Sequence, residues 1–199
     1  MARVRAEDWG DKRQAILDAG ALLFARVGYA NARMEEIARA CGATKSMLYH
    51  YFPAKEDLLY EIVHDHAAGM LAAMEEALAA AAQPAERLRA FVTTWMRRSR
   101  AARARNAVLM YDLKFLGKRQ QAVIVDLQRR MIEMLGALLS EVNPALQKGG
   151  PSQGKGYALL LFGMLNWTEV WFRSGGPEGP EELAERIYRL FHAGLAAER

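Results

Sequence analysis

The sequence predicts an all-α protein, with a three-helix unit in front of a larger helical domain. Three observations carry this. Apolar residues recur at spacings of three and four along nearly the whole chain. No stretch of the 199 residues shows the strict alternation of a half-buried strand. The breaks between periodic stretches carry Gly or Pro, the residues that end helices.

The elements follow in order. Ile16, Leu17, Leu23, Phe24 and Val27 form a first stripe, and Gly28 stands where a C-terminal glycine cap belongs. Gly20 lies on the same face and costs about 1 kcal/mol relative to Ala. Met34, Ile37, Ala38 and Cys41 form a second stripe that Gly42 ends. Thr44 to Phe52 makes a third helix, closed by Pro53. A long fourth helix starts near Lys55 and shows Leu59, Ile62, Val63, His66, Met70 and Met74 before Gln83-Pro84 breaks it.

Residues 85–104 and 106–116 then read as helices, followed by Gly117 and a helix over 118–143. The stretch 143–156, with two Pro and four Gly, reads as a mobile loop. Helix 157–173 is apolar almost all round and needs cover on more than one side. Residues 174–180 form a turn. Pro180 opens a last helix with Leu183, Ile187, Leu190, Phe191 and Leu195 on one stripe.

Composition narrows the class. Hydrophobic residues make up 52%, a globular value. The longest nearly unbroken apolar run, 157–165, is too short to cross a bilayer. The basic N-terminus has no apolar core after it, so no secretory signal and a cytoplasmic location are expected. The single cysteine, Cys41, allows no internal disulfide and no zinc constellation. Net charge is only +4, but residues 1–55 hold nine Lys/Arg against six Asp/Glu. A second basic cluster runs through Arg97, Arg98, Arg100, Arg103 and Arg105.

The sharpest signal lies between Met34 and Phe52. Two short helices joined by a tight Gly-containing turn make a helix-turn-helix. Leu48 and Phe52 face inward, while Lys45, Ser46, Tyr49 and His50, three and four apart, share the outer face. Thr44 is a natural N-cap. Lys45 and Ser46 occupy the helix end that meets base edges in a major groove, and Tyr49 and His50 can reach phosphates or bases. Lys55 opposes the dipole at the start of the fourth helix, a conflict that a backbone phosphate would resolve.

Residues 10–58 resemble the DNA-binding domain of the TetR family of bacterial repressors. Phe24-Ala-Arg-Val-Gly-Tyr29, Glu36-Ile-Ala-Arg-Ala40 and above all Leu48-Tyr-His-Tyr-Phe-Pro-Ala-Lys-Glu-Asp-Leu58 carry the resemblance. It implies a homodimer with a DNA head at 1–55 and a ligand-binding and dimerisation domain at 56–199. The DNA-facing positions it implies are Thr44, Lys45, Ser46, Tyr49, His50 and Lys55. Arg33 replaces the Ser or Thr that caps the second helix in the family; either Asn31 caps instead, or Arg33 makes its own phosphate contact. Ala54 likewise replaces a frequent Ser cap.

The second half offers an adaptable apolar lining: Phe91, Trp95, Met96, Met110, Tyr111, Phe115, Met131, Met134, Trp167 and Trp171. The same residues also suit plain core. Met110-Tyr-Asp-Leu-Lys-Phe-Leu116 with Ala122-Val-Ile-Val-Asp-Leu127, and Phe162-Gly-Met-Leu-Asn-Trp-Thr-Glu-Val-Trp-Phe-Arg173, resemble repressors of phenylacetate and fatty-acid breakdown. That resemblance implies an acyl-coenzyme A effector, whose phosphates the arginine cluster could pair. No catalytic or metal constellation stands out: His64 and His66 face different ways on a helix, no serine sits in a nucleophile elbow, and no strand precedes a phosphate loop. No cofactor is expected. Two further readings stay open: an acyl-CoA-binding protein or enzyme with a vestigial head, and a non-specific DNA-packaging protein.

Overall fold

The computed structural model describes residues 2–149, 151–173 and 179–198, with side chains from residue 9 onward except at 149–152. Among the described residues there are nine helices and no strand. They are α1 (Ala2–Val27), α2 (Met34–Ala40), α3 (Lys45–Tyr51), α4 (Lys55–Ala79), α5 (Pro84–Ala101), α6 (Arg103–Asp112), α7 (Lys118–Val142), α8 (Pro151–Trp171) and α9 (Pro180–Ala197). Short 3-10 turns follow α6 at Leu113–Phe115 and α7 at Pro144–Gly149. No described helix is long and apolar enough to cross a membrane.

The helices gather into two compact units. The first comprises Met1–Ala67 and Ala102–Val125; the second comprises Ala68–Ala101 and Asp126–Arg199. Both are discontinuous in sequence, so α6 belongs with the first three helices although α5 does not.

In the first unit, Phe24, Ile37, Leu48, Leu58 and Ile62 are buried almost completely. Gly20 has a packing reason. A Cβ there would stand 3.1 Å from both Leu58 Cδ2 and Ile62 Cδ1, so its absence lets α1 lie close against α4. α1 ends as its glycine demands: Gly28 has φ +79, and its N–H donates to the Phe24 carbonyl at 2.8 Å. Arg13 ties α1 to α4 through Glu61 at 2.5 Å and Asp65 at 3.4 Å. α6 packs on α1, where Arg105 pairs with Asp18 at 2.7 Å.

The second unit is built round α5, which packs on α8 and α9. Phe91, Trp95 and Phe162 form its aromatic centre, with the Trp95 and Phe162 rings 4.9 Å apart. Arg89 holds α9 through both carboxylate oxygens of Glu185, at 2.6 and 2.7 Å.

Several boundaries differ from expectation. The mobile loop expected over 143–156 is largely ordered: a 3-10 turn and the first residues of α8 occupy it. Gly154 is there for contact and not for flexibility, because a Cβ would lie 2.9 Å from the Gly136 carbonyl of α7. The break near residue 105 falls at Ala102, and Leu113–Phe115 tightens to 3-10. Of the turn expected at 174–180, residues 174–178 lie outside the described residues; Pro180 does open α9, and the Glu182 carboxylate accepts the Gly179 N–H at 2.7 Å. Helix α8 is apolar on both sides, yet only one is covered within the unit. Leu161, Leu165 and Phe172 are buried, whereas Leu160, Met164, Trp167 and Trp171 are exposed.

Candidate functional site

The outer face of α3 is the most defined polar surface of the first unit. Thr44 caps the helix, its Oγ1 accepting the Met47 N–H at 3.1 Å. Leu48 is fully buried and Phe52 nearly so, which fixes the helix against α2. The turn before it needs Gly42 at φ +65 and is closed by the Ala43 N–H donating to the Ala38 carbonyl at 2.9 Å. Lys45, Ser46, Tyr49 and His50 are then exposed together, as their spacing requires.

Electrostatics hold this face ready. The Lys45 ammonium lies 2.5 Å from Glu35 on α2 and 5.9 Å above the Tyr49 ring. Lys45 pushes the Glu35 carboxyl below the usual carboxylate range, and Glu35 raises the Lys45 ammonium. Both groups are solvated, so a competing anion displaces this pair at little cost. Arg33 stands exposed at the start of α2. Its guanidinium has no acceptor and cannot cap; instead Glu36 accepts the Arg33 N–H at 3.2 Å. Asn31 is not the cap either. Its side-chain amide donates to the Val27 carbonyl at 2.9 Å and so closes α1. At Ala54, Asp57 supplies the missing cap by accepting the Ala54 N–H at 2.9 Å.

Lys55 departs from expectation. Its ammonium turns back to the carbonyls of Tyr29 at 2.8 Å and Ala32 at 3.0 Å, and lies 4.4 Å from the centre of the Tyr29 ring. Three carbonyl and ring partners already satisfy the cation, so no phosphate is needed to resolve its place at the start of α4. Trp9 was missed altogether. Its ring lies 4.1 Å from Tyr51 and meets His50 edge-on at 5.4 Å, which braces α3 from α1. Only the aromatic type at position 9 hinted at it, since no periodic partner stands nearby in sequence.

The ten residues read as an effector lining divide between the two units. Phe91, Trp95, Met96 and Met131 are buried in the second unit, with Met134 half-buried against the same core. Met110, Tyr111 and Phe115 belong to the first unit and are exposed there, at 45%, 63% and 39%. Trp167 and Trp171 lie on the uncovered side of α8. Helical periodicity marks which residues share a face; it does not say which face turns inward when both are apolar. The arginine cluster divides similarly. Arg105 pairs with Asp18 in the first unit, whereas Arg97 and Arg100 border a cleft of about 160 Å³ in the second. Thr93 and Met96 of α5 and Pro180, Glu181 and Ala184 of α9 complete its wall.

Two family models match the chain. One, "Bacterial regulatory proteins, tetR family", covers residues 16–62, the segment holding α2 and α3. The other, "Tetracyclin repressor-like, C-terminal domain", covers residues 81–195. The chain belongs to the TetR family. A TetR-family regulator from Bordetella parapertussis is 31% identical in sequence, with a TM-score of 0.84 over 90% of this chain and 93% of that one. The transcriptional repressor KstR2 of Rhodococcus jostii is 27% identical over 94% of this chain and 92% of its own. AibR, solved with isovaleryl coenzyme A and operator DNA, is 26% identical, with a TM-score of 0.78 over 90% of this chain and 97% of that one.

The chain is therefore a TetR-family transcriptional repressor and, like its relatives, a regulator and not an enzyme. The α3 face described above occupies the family's DNA-binding segment.

Proposed function

We propose that this TetR-family repressor binds a pseudo-palindromic DNA operator as a homodimer and is released by an acyl- or aryl-coenzyme A thioester. The functional division proposed is a DNA head at 1–55 and an effector and dimerisation domain at 56–199, in a cytoplasmic protein.

The observation that carries the DNA reading is the capped, outward-facing row of Lys45, Ser46, Tyr49 and His50 on α3. Arg33, exposed at the start of α2, adds a cation for backbone phosphate, and Thr44 completes the same edge. One two-turn helix offers too few base contacts for specific affinity, so two heads on one duplex are required. The uncovered side of α8 supplies a reason for pairing. Leu160, Met164, Trp167 and Trp171 repeat at three and four, and Leu190 of α9 is 63% exposed. A contiguous apolar surface of this kind marks an interface. Two such helices from each of two chains make a four-helix bundle.

The effector reading is supported by the second-half resemblance and by the coenzyme A thioester in AibR. It is also supported by Arg97 and Arg100 in a cleft whose wall mixes Met96, Pro180 and Ala184 with Thr93 and Glu181, the guanidiniums suiting a phosphate and the apolar side chains a pantetheine arm. The aromatic character of the Phe91, Trp95 and Phe162 cluster favours an aromatic thioester such as phenylacetyl-coenzyme A. Gel shift on an operator probe, with the thioester, free phenylacetate and free coenzyme A titrated separately, tests both halves. The thioester alone is expected to weaken operator binding about 5–150-fold. No sequence preference in footprinting would overturn the operator; thioesters without effect at saturation would overturn the effector.

A further inference from the structure

We propose that the indole N–H of Trp95 and the hydroxyl of Ser99 donate to a neutral oxygen acceptor on the effector, such as the carbonyl of an acyl thioester. This rests on the effector reading above and names the atoms that would read it.

The two side chains are four residues apart on α5, so they stand one turn apart on the same face. Trp95 is 7% and Ser99 2% exposed, and neither Nε1 nor Oγ has a hydrogen-bond partner among the described residues. Buried polar atoms of this kind are costly, and native interiors rarely leave them so. The other two orphaned nitrogens differ. Arg87 Nε belongs to a guanidinium already paired with Glu141, and Asn106 uses its other amide atom toward His66. Trp95 and Ser99 make no side-chain hydrogen bond at all.

Nearby hydroxyls show that the omission at Ser99 is not forced by the fold. A serine or threonine inside a helix usually bonds back to a carbonyl one turn earlier. Ser140 does so to Gly136 at 3.0 Å, and Thr168 does so to Leu165 at 2.7 Å. Ser99 does not. The Trp95 ring, meanwhile, is fixed between Phe162 at 4.9 Å and Phe91 at 6.2 Å, which sets the direction of its N–H. Two donors held without acceptors, one of them on a ring set between two others, match an apolar ligand that carries one oxygen.

The test compares phenylacetyl-coenzyme A with its thioether counterpart, S-(2-phenylethyl)-coenzyme A, which lacks the carbonyl. Calorimetric titration of the full-length wild-type protein should favour the thioester by about tenfold. Ser99→Ala and Trp95→Phe should each lose most of that preference. Without ligand, Ser99→Ala should melt no lower than wild type, since it removes an unsatisfied atom; Trp95→Phe also removes ring volume from the aromatic centre and is read by its ligand preference alone. Undiminished discrimination in the variants overturns the proposal. If the wild type binds neither compound, the acyl-coenzyme A reading fails on its own, and the unliganded melts decide the donors. An unchanged or raised Tm in Ser99→Ala keeps the pair as donors for another acceptor; a lowered Tm there shows a structural hydroxyl and overturns them.

Discussion

The two compact units use their exposed residues differently. In the first, the exposed row on α3 is polar and cationic, and the structure beneath it is capped, clipped and fully packed. In the second, the exposed row on α8 is apolar and aromatic, and the interior leaves the side-chain donors of Trp95 and Ser99 without acceptors among the described residues. A row of local polar contacts is written in adjacent residues; a row left apolar and exposed by the packing of distant helices is not. The first can be read from a short string, whereas the second emerges only once the helices are placed.

The largest effect expected is at the apolar row. Trp167→Arg places a charge on the 64%-exposed ring position at the middle of that surface. If the row joins two chains, the charge cannot be buried and the variant should be monomeric by light scattering. Operator affinity should then fall by about 10³-fold or more, toward the non-specific level, although the α3 face is intact. A Trp167→Arg dimer with normal operator binding would move the interface elsewhere and weaken the contrast between the two surfaces.

Lys45 and Lys55 sharpen the comparison within the first unit. Lys45→Ala removes an exposed ammonium whose partner is an exposed carboxylate, so stability should change little. Operator preference should relax by ~1–3 kcal/mol if the side chain reads a base edge. Lys55→Ala instead strips the Tyr29 and Ala32 carbonyls of their donor and should cost about 1.5–3 kcal/mol of stability by denaturant titration. The salt slope of DNA binding should stay as in wild type for Lys55→Ala. A slope reduced by about one would return Lys55 to the phosphate contacts.

Two glycines test how rigid each unit is. Gly154→Ala must push a Cβ against the Gly136 backbone carbonyl at 2.9 Å, which cannot swing aside. A loss of ~1–3 kcal/mol is expected, confined to the second unit in hydrogen exchange. Gly20→Ala meets only the tips of Leu58 and Ile62 at 3.1 Å, and those can give. The helix gains about 1 kcal/mol from the propensity of Ala, so the net change should lie near zero. Equal losses at both sites would mean that the first unit is packed as tightly at α1 as the second is at α8.

Legibility followed the same line. The order and type of all nine helices, the Thr44 cap, the Gly28 and Gly42 stops and the α3 face were present in local spacing. What local spacing did not show was anything fixed by distant partners. Gly154 looked like loop chemistry because its reason, Gly136, is eighteen residues away. The exposure of Trp167 and Trp171 was not legible, because periodicity cannot choose between two apolar faces of α8. The carbonyls that hold the Lys55 ammonium belong to residues 29 and 32, which the spacing around Lys55 does not reveal. Trp9 contacts α3 across more than forty residues, and only its aromatic type hinted at that.

The smallest effect expected concerns pH and bears on His66, a buried imidazole on α4 in the first unit. Burial lowers its pKa most, the hydrogen bond to Asn106 opposes this, and the nearby Arg105 charge lowers it further. The groups facing it from α6 are Asn106 at 3.5 Å and Arg105, whose own charge is partly met by Asp18. The native state therefore binds the His66 proton less readily than the unfolded chain does, for which the ordinary value of 6.5 applies. Stability from this residue is fully present above pH 6.5 and is lost as pH falls toward the lowered native value. Denaturant midpoints measured between pH 8 and pH 5 should drop below about pH 6.5 in the wild type. The drop should be shallower in His66→Gln, which keeps a polar partner for Asn106 but cannot titrate. Identical pH profiles for the two proteins would show that His66 is protonated as easily inside the first unit as in water, and that this unit is less tightly closed around α4 than its packing implies.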